Sequence, residues 1–348
     1  MSKEVNTMNL NKKFIELLPL KTDRLVIRKT NLDDLDMLLK LDKQEETQKF
    51  LGGIKNKTKE ERKSFIEKKI NNYKEGFSSS LTICLNNKPI GLIELKIDEN
   101  FNEAELSYIF DYDYCNKGYC TEASQKLIDV AFNELKLNNV YANSIDENIS
   151  SIKVLEKLGF KYINTISKDN KNFKNYIKYN KMNCKVILCG PAIGKTYLAE
   201  HDNHFIDIDG QKAAYKYGLI NTDSISFEKG KLNRGKVINK DSIDFSKKLL
   251  QDTIDNNDIA LISYHEDLVN YLIDNNIDYC LVYADISLRE EYIDRMIKRG
   301  NQENFIKEMT DEDKWIEFHN IDEKDTKPKY KIKLKRGQYL SDLKDYFK

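Results

Sequence analysis

Two short stretches of this sequence carry residues suited to holding an anion. In the first, Cys115-Asn116-Lys117-Gly118-Tyr119-Cys120-Thr121 joins a strand-like run, Ala104–Phe110, to a run with helical periodicity that starts near Tyr119. A tight turn that opens into a helix leaves backbone N–H groups without partners. Together with the helix dipole they form an anion site suited to a diphosphate. Gly118 lets the backbone approach such a guest closely. In the second stretch, Gly190-Pro191-Ala192-Ile193-Gly194-Lys195-Thr196 follows the apolar run Lys185–Cys189 and precedes an apolar helix start. It nearly matches the phosphate-loop pattern G-x-x-x-x-G-K-[ST], whose first glycine falls on Cys189. Backbone N–H groups between Gly190 and Gly194 would cradle phosphates, Lys195 would reach the β and γ oxygens, and the Thr196 hydroxyl would ligate Mg²⁺. A plain turn with a surface lysine explains Gly194 but not the Gly-Lys-Thr run.

Other residues fall where such loops need them. Phe205–Asp209 reads as a strand ending in two carboxylates, Asp207 and Asp209, where an α/β sheet places ligand groups. Asp207 is a candidate metal ligand and Asp209 a candidate catalytic carboxylate. A helix from Ser287 carries Arg289, Arg295 and Arg299. Arg295 and Arg299 share a face. The interleaved Glu290, Glu291 and Asp294 also allow a solvated, ion-paired helix. The four His residues are scattered and the six Cys form no CxxC, so no zinc site is read.

The elements that must position these residues differ in the two halves. The first half mixes short strands (Arg24–Arg28, Ser80–Leu85, Pro89–Ile97, Ala104–Phe110, Val140–Ile145, Phe160–Ile166, Tyr176–Tyr179) with helices over 31–41, 58–75, 119–135 and 149–158. Asn86-Asn87-Lys88 suits a hairpin turn, because Asn tolerates left-handed backbone. The second half opens strand–loop–helix and continues with strands at 259–263 and 279–283. The expected architecture is α/β in two domains, 1–182 and 183–348. The first is a mixed α+β sheet and the second a parallel sheet with helices on both faces.

Composition sets outer limits. The chain has 348 residues, 57 Lys+Arg and 57 Asp+Glu, with 20 Tyr and 15 Phe. That aromatic content with zero net charge does not fit a disordered chain. The balance also argues against a nucleic-acid binder working through overall charge, though not against a local basic groove. No apolar run is long enough to span a membrane and no signal peptide is read, so a cytoplasmic protein is expected.

The order AELSYIF, YCNKGYCTEA and IDENISSIKVLEKLGF, with TDRLVIRKTNLDDLDMLL upstream, resembles the GNAT N-acetyltransferases of the ribosomal-protein and small-molecule branch over roughly 17–182. The resemblance implies that residues 115–120, with Thr121, bind the pyrophosphate of acetyl-CoA, although Cys115 stands where the family has Arg or Gln. It implies that Asn148 lies along the pantetheine arm and Ser151 near the thiolate. A tyrosine acid used by many members is replaced by Leu155. Helix capping is the competing role for Asn148 and Ser151. The reaction needs a base for the attacking amine, and Glu105 is the expected one, with a solvated strand glutamate as the alternative.

Residues 185–348 resemble small P-loop kinases, most closely adenylate/guanylate-kinase-like nucleotide kinases of bacteriophages and their hosts. The shared pieces are GPAIGKTYLA, DIDGQKAAY, ISYHEDL and LVYADISLREEYIDRMIKRGN. This implies ATP and Mg²⁺ as ligands, and Arg295 and Arg299 as phosphate clamps. The expected function is bifunctional: acetyl transfer to a small-molecule or peptide amine, and phosphoryl transfer to a small acceptor such as a nucleotide. One alternative is an acetyltransferase regulated by a nucleotide-binding module that does not consume ATP. Another is an ATP-assisted nucleic-acid acetyltransferase.

Overall fold

The structure, a computed structural model, describes residues 9–190, 192–208 and 242–347. The chain divides into two compact units, Met1–Asn180 and Lys181–Lys348.

The N-terminal unit is one eight-stranded mixed sheet. Its strands are β1 (Leu20–Lys21), β2 (Leu25–Lys29), β3 (Leu81–Leu85), β4 (Lys88–Asp98), β5 (Glu103–Phe110), β6 (Asn139–Ile145), β7 (Lys161–Lys168) and β8 (Lys171–Tyr179). They lie in the order β1-β2-β3-β4-β5-β6-β8-β7. The helices are α1 (Leu10–Glu16), α2 (Leu35–Lys43), α3 (Glu45–Gln48), α4 (Lys59–Lys74), α5 (Tyr119–Asp129) and α6 (Ile149–Lys157). Asn86 and Asn87 take φ of 48° and 65° at the β3–β4 turn, as the paired Asn suggest. Thr58 caps α4 through a reciprocal box with Glu61.

The alternation of β4 and β5 sends side chains to two separate cores. One packs Ile93, Leu95, Ala104 and Leu106 with Phe14, Ala123, Leu127, Ile152 and Leu155. The other is smaller and packs Leu92 and Ile109 beneath Met37, Leu38 and Leu41 of α2 and Ile66 of α4. The helix expected to run from 119 to 135 changes at Val130 to a wider π turn, closed by Leu135 N–H on the Val130 carbonyl.

One irregularity of this sheet decides the site. β5 and β6 are its parallel pair, and they are in register only over Glu103–Asn139, Ala104–Val140 and Glu105–Tyr141. Beyond Glu105 the two strands part. Helix α5 follows β5 and α6 follows β6, so both helices begin at the open end.

Among the described residues, the C-terminal unit is a five-stranded, all-parallel sheet of β9 (Val186–Cys189), β10 (Phe205–Asp207), β11 (Ile259–Ser263), β12 (Tyr279–Ala284) and β13 (Tyr330–Leu334). The order is β10-β11-β9-β12-β13. Its helices are α7 (Lys195–His201), α8 (Ser242–Asp255), α9 (Glu266–Asp274), α10 (Arg289–Lys298), α11 (Glu303–Thr310) and α12 (Glu312–Lys324). Successive residues of the central strand, Val186, Ile187 and Leu188, are all buried, as in a sheet covered on both faces. The fifth strand, β13, was not among the expected elements. With β9 central and the chain leaving it first to one side and then to the other, the loop after β9 opens at the topological switch point.

Candidate functional site

The N-terminal site lies at the parted ends of β5 and β6. Gly118 is the residue before α5 and has φ 80°, with no side chain capping the helix. Asn116 is also left-handed, at φ 59°. The first-turn amides at Tyr119, Cys120 and Thr121 therefore face the opening without a side-chain acceptor, and Asn116, Lys117 and Gly118 are exposed. Burial pushes the Cys120 thiol up to about 12, and the Cys115 thiol is also raised. Neither is a ready thiolate near neutral pH.

An arginine from far upstream completes this turn. Arg24 donates to Glu122 through Nε at 2.6 Å and to the Lys117 carbonyl through Nη1 at 3.1 Å. Its guanidinium stacks over Tyr119, 4.5 Å from the ring centroid. Burial acts to raise the Glu122 carboxyl, but hydrogen bonds from Thr22 and Arg24 outweigh it and hold the group below its usual value. Cys115 occupies the position where the family has Arg or Gln, and Arg24 brings a guanidinium to the same turn from the segment joining β1 and β2. The sequence offered no local sign of this contact.

Asn148 caps α6, its side chain accepting from Ser151 N–H at 3.2 Å. The capping role is thus present. Ser151 does more than accept a cap, because its Oγ lies 3.0 Å from the Tyr108 hydroxyl. Tyr108 sits on β5 beyond the last residue paired to β6, so this contact bridges the open end. Burial, reinforced by Cys120, drives the Tyr108 phenol well above its usual value, so it stays protonated and able to donate. Leu155 is buried in the core and offers no acid.

Tyr108 also borders, at the edge of the sheet, a cavity of about 320 Å³ on the α2–α4 side, although its ring packs on the opposite face. Glu94 of β4 lines it too, and accepts from Ser80 Oγ at 2.8 Å. Glu105, the expected base, faces the same side of β5 but sits at the apex where the strands separate, with Asn143 Nδ2 donating to it at 3.3 Å. It does not line the cavity. Glu94 does, and was not singled out from sequence because alternation gives it no distinction from Lys96 or Leu92.

The C-terminal site gathers around the second glycine turn. Gly194 has φ 96° and precedes α7 with no side-chain cap. Lys195 Nζ lies 3.0 Å from Asp207 Oδ1 and donates to Ser263 Oγ at 2.9 Å. Thr196 Oγ1 is 3.5 Å from Asp207 Oδ2, and Arg299 Nη2 reaches Thr196 Oγ1 at 3.4 Å. Gly190 is anchored by its N–H to the Val282 carbonyl. Lys195, Thr196, Asp207 and Arg299 thus lie together beside the turn at Gly194.

Arg295 does not join them. It is buried, paired with Glu291 at 2.5 Å and bonded to the Gln338 carbonyl at 2.8 Å. Its guanidinium stacks 3.9 Å from the Tyr339 ring centroid. The Arg295 guanidinium is drawn away from the glycine turn by Glu291 of its own helix and by the segment after β13, both of which engage Nη2. Asp209 lies outside the described residues. Ser263, at the end of β11, was not foreseen and touches Lys195 directly. Among the described residues no cluster of three or more His, Cys, Asp or Glu side chains could hold a metal. The Thr196 and Asp207 oxygens fit a cation that takes most of its ligands from phosphate and water, as Mg²⁺ does. Among the described residues, no helix is long and apolar enough to cross a membrane.

The N-terminal unit is similar in sequence to known proteins. The profile of the acetyltransferase (GNAT) domain family matches residues 24–161. The uncharacterised N-acetyltransferase p20 of Bacillus licheniformis is 31% identical over 144 residues, covering 40% of this chain and 81% of that protein. The uncharacterised N-acetyltransferase YnaD of Bacillus subtilis is 27% identical over 143 residues, again 40% and 81%. A solved GNAT-family acetyltransferase from Bacillus anthracis superposes on 47% of this chain and 98% of its own, at 24% identity and a TM-score of 0.42. The chain belongs to the GNAT acetyltransferase family, the profile match falling within its N-terminal unit.

Proposed function

We propose that the N-terminal unit transfers an acetyl group from acetyl-CoA to a primary amine. The observation that carries this is the parted end of β5 and β6, with uncapped helix amides on one side and the Tyr108–Ser151 pair bridging it. Bound acetyl-CoA supplies an activated acyl carbon. The turn at 116–121 holds the anionic end of that donor through backbone N–H groups. The amine enters from the cavity beside Tyr108, and a carboxylate on that face takes its proton, with Glu94 placed in the wall and Glu105 at the apex. The C–N bond forms, the C–S bond breaks, and Ser151, backed by the neutral Tyr108 phenol, returns a proton to sulfur. The test is thiol release from acetyl-CoA in the presence of an amine, compared for Glu94→Gln and Glu105→Gln. Loss of about 100-fold in kcat with Glu94→Gln alone assigns the base. The same loss with Glu105→Gln alone moves the base to the apex, and intact rates in both remove a carboxylate base.

For the C-terminal unit the reading is ATP–Mg²⁺ binding with phosphoryl transfer to a small acceptor such as a nucleotide. Its support is the convergence of Lys195, Thr196, Asp207 and Arg299 at a glycine turn on the switch point of a parallel sheet. Lys195 is held by Asp207 and Ser263 where an incoming triphosphate would compete for it. ATP hydrolysis or transfer measured beside ATP binding separates this from a regulatory module. Lys195→Ala is expected to abolish both, whereas binding without turnover in the unaltered chain favours regulation of the acetyltransferase.

A further inference from the structure

We infer that the amine accepted by the N-terminal unit is a zwitterion, a free amino acid with an apolar side chain. This rests on the acetyl-transfer reading above and concerns the same cavity. Four acidic or basic side chains line it: Asp42, Lys55, Arg62 and Glu94. Asp42 and Arg62 consume one another. Arg62 bonds both carboxylate oxygens of Asp42 through Nε and Nη2, and the Asp42 side chain is 2% exposed. Two charges of opposite sign are left. Glu94, on β4, holds a hydrogen bond from Ser80 but no ion pair among the described residues. Lys55, on the segment between α3 and α4, is tied by its backbone N–H to the Asp42 carbonyl at 2.9 Å, and its ammonium has no ion pair among the described residues.

The remaining wall is mostly hydrocarbon, interrupted by the polar residues Gln48, Ser80, Ser107 and Tyr108. Leu38 and Leu41 come from α2, Phe65 from α4, and Leu92 and Ile109 from the sheet. An occupant must therefore offer a cation to Glu94, an anion to Lys55 and apolar surface between them. A polyamine would bring several cations to one carboxylate and leave Lys55 opposed. A simple alkylamine would leave Lys55 facing a guest that cannot bond it. The cavity of about 320 Å³ stands at the low end of ligand pockets, a size for one amino acid. The amino group lies toward Glu94 and Tyr108, gives up one proton as the C–N bond forms, and the carboxylate stays on Lys55.

The experiment uses the full chain with acetyl-CoA and three probes: L-leucine, L-leucinamide and spermidine. Removing the carboxylate leaves Lys55 unpaired, so kcat/KM for leucine should exceed that for leucinamide by about tenfold. Lys55→Gln should bring that ratio within about twofold. Leucinamide or spermidine equal to or faster than leucine overturns the inference while leaving acetyl transfer standing. So does a ratio unmoved by Lys55→Gln. If acetyl-CoA is bound, by calorimetry, but none of the three probes is acetylated, the amino-acid assignment is wrong and the donor site stands. If acetyl-CoA is not bound, the acetyl-transfer reading falls and this inference with it.

Discussion

The two glycine turns use one backbone device for two different settings. Gly118 and Gly194 both have positive φ, 80° and 96°, and both precede a helix that no side chain caps. They differ in what surrounds the exposed amides. At Gly118 the nearest cation, Arg24, is already bound to Glu122 and the Lys117 carbonyl, so the turn relies on backbone N–H groups and sits beside a gap between strands. At Gly194 a carboxylate, Asp207, stands within 3.5 Å of both a lysine ammonium and a threonine hydroxyl. The first setting suits a diphosphate that is an anchor. On the proposed reading the second suits a phosphate at which charge develops, with a cation beside it. A glycine turn is thus a necessary device, and the side chains around it set the chemistry.

The sharpest way to break this comparison is to fill the Gly118 turn alone. Gly118→Val adds a branched side chain at left-handed φ, where even a Cβ would lie 3.3 Å from the Arg24 guanidinium. Acetyl transfer should fall on the order of 100-fold with ATP binding unchanged, checked by thiol release and by calorimetry with ATP. Loss of both would mean that the substitution disturbs more than its own turn.

Ser151→Ala comes next. It removes the hydroxyl but leaves the α6 cap, which uses the Ser151 backbone N–H. The expected result is a loss of kcat of about 10–100-fold with little change in KM for acetyl-CoA. A change in KM alone would make Ser151 a binding residue.

A smaller effect separates the units by pH. Burial raises the Asp322 carboxyl to about 7, against the opposing pull of Lys331. A carboxyl raised on folding binds its proton more tightly in the folded state. Stability of the C-terminal unit should therefore fall as pH rises from about 4 to 7 and level off above. Thermal melts should show this slope, and Asp322→Asn should flatten it.

The smallest effect expected is at Arg24. Arg24→Gln should raise the KM for acetyl-CoA by about threefold, with kcat held, because the partner Glu122 is left and the pair is partly exposed. A larger loss would show Arg24 touching the donor directly.

Most strands and helices were legible because apolar periodicity and caps report on local geometry. Several failures share one cause, contact between segments distant in the chain. Arg24 meets Gly118 from 94 positions away, and Gln338 and Tyr339 capture Arg295. Spacing places Arg295 and Arg299 on one helix face, yet one is buried and the other reaches Thr196. Strand β13 escaped notice because Lys331 and Lys333 alternate with Ile332 and Leu334, a pattern of an edge strand easily read as a charged loop. Glu94 and Glu105 have the same strand parity, and only the cover of α2 and α4 tells them apart.

The brief pairing of β5 with β6 has a consequence for the donor's shape. Past Glu105 the two facing edges keep peptide groups that no neighbouring strand engages across that gap. A guest whose own arm carries amides can slot in as a missing rung of the ladder. On the proposed reading the protein is folded around an absence that its substrate fills, so saturation with the donor should slow hydrogen exchange along Leu106–Phe110.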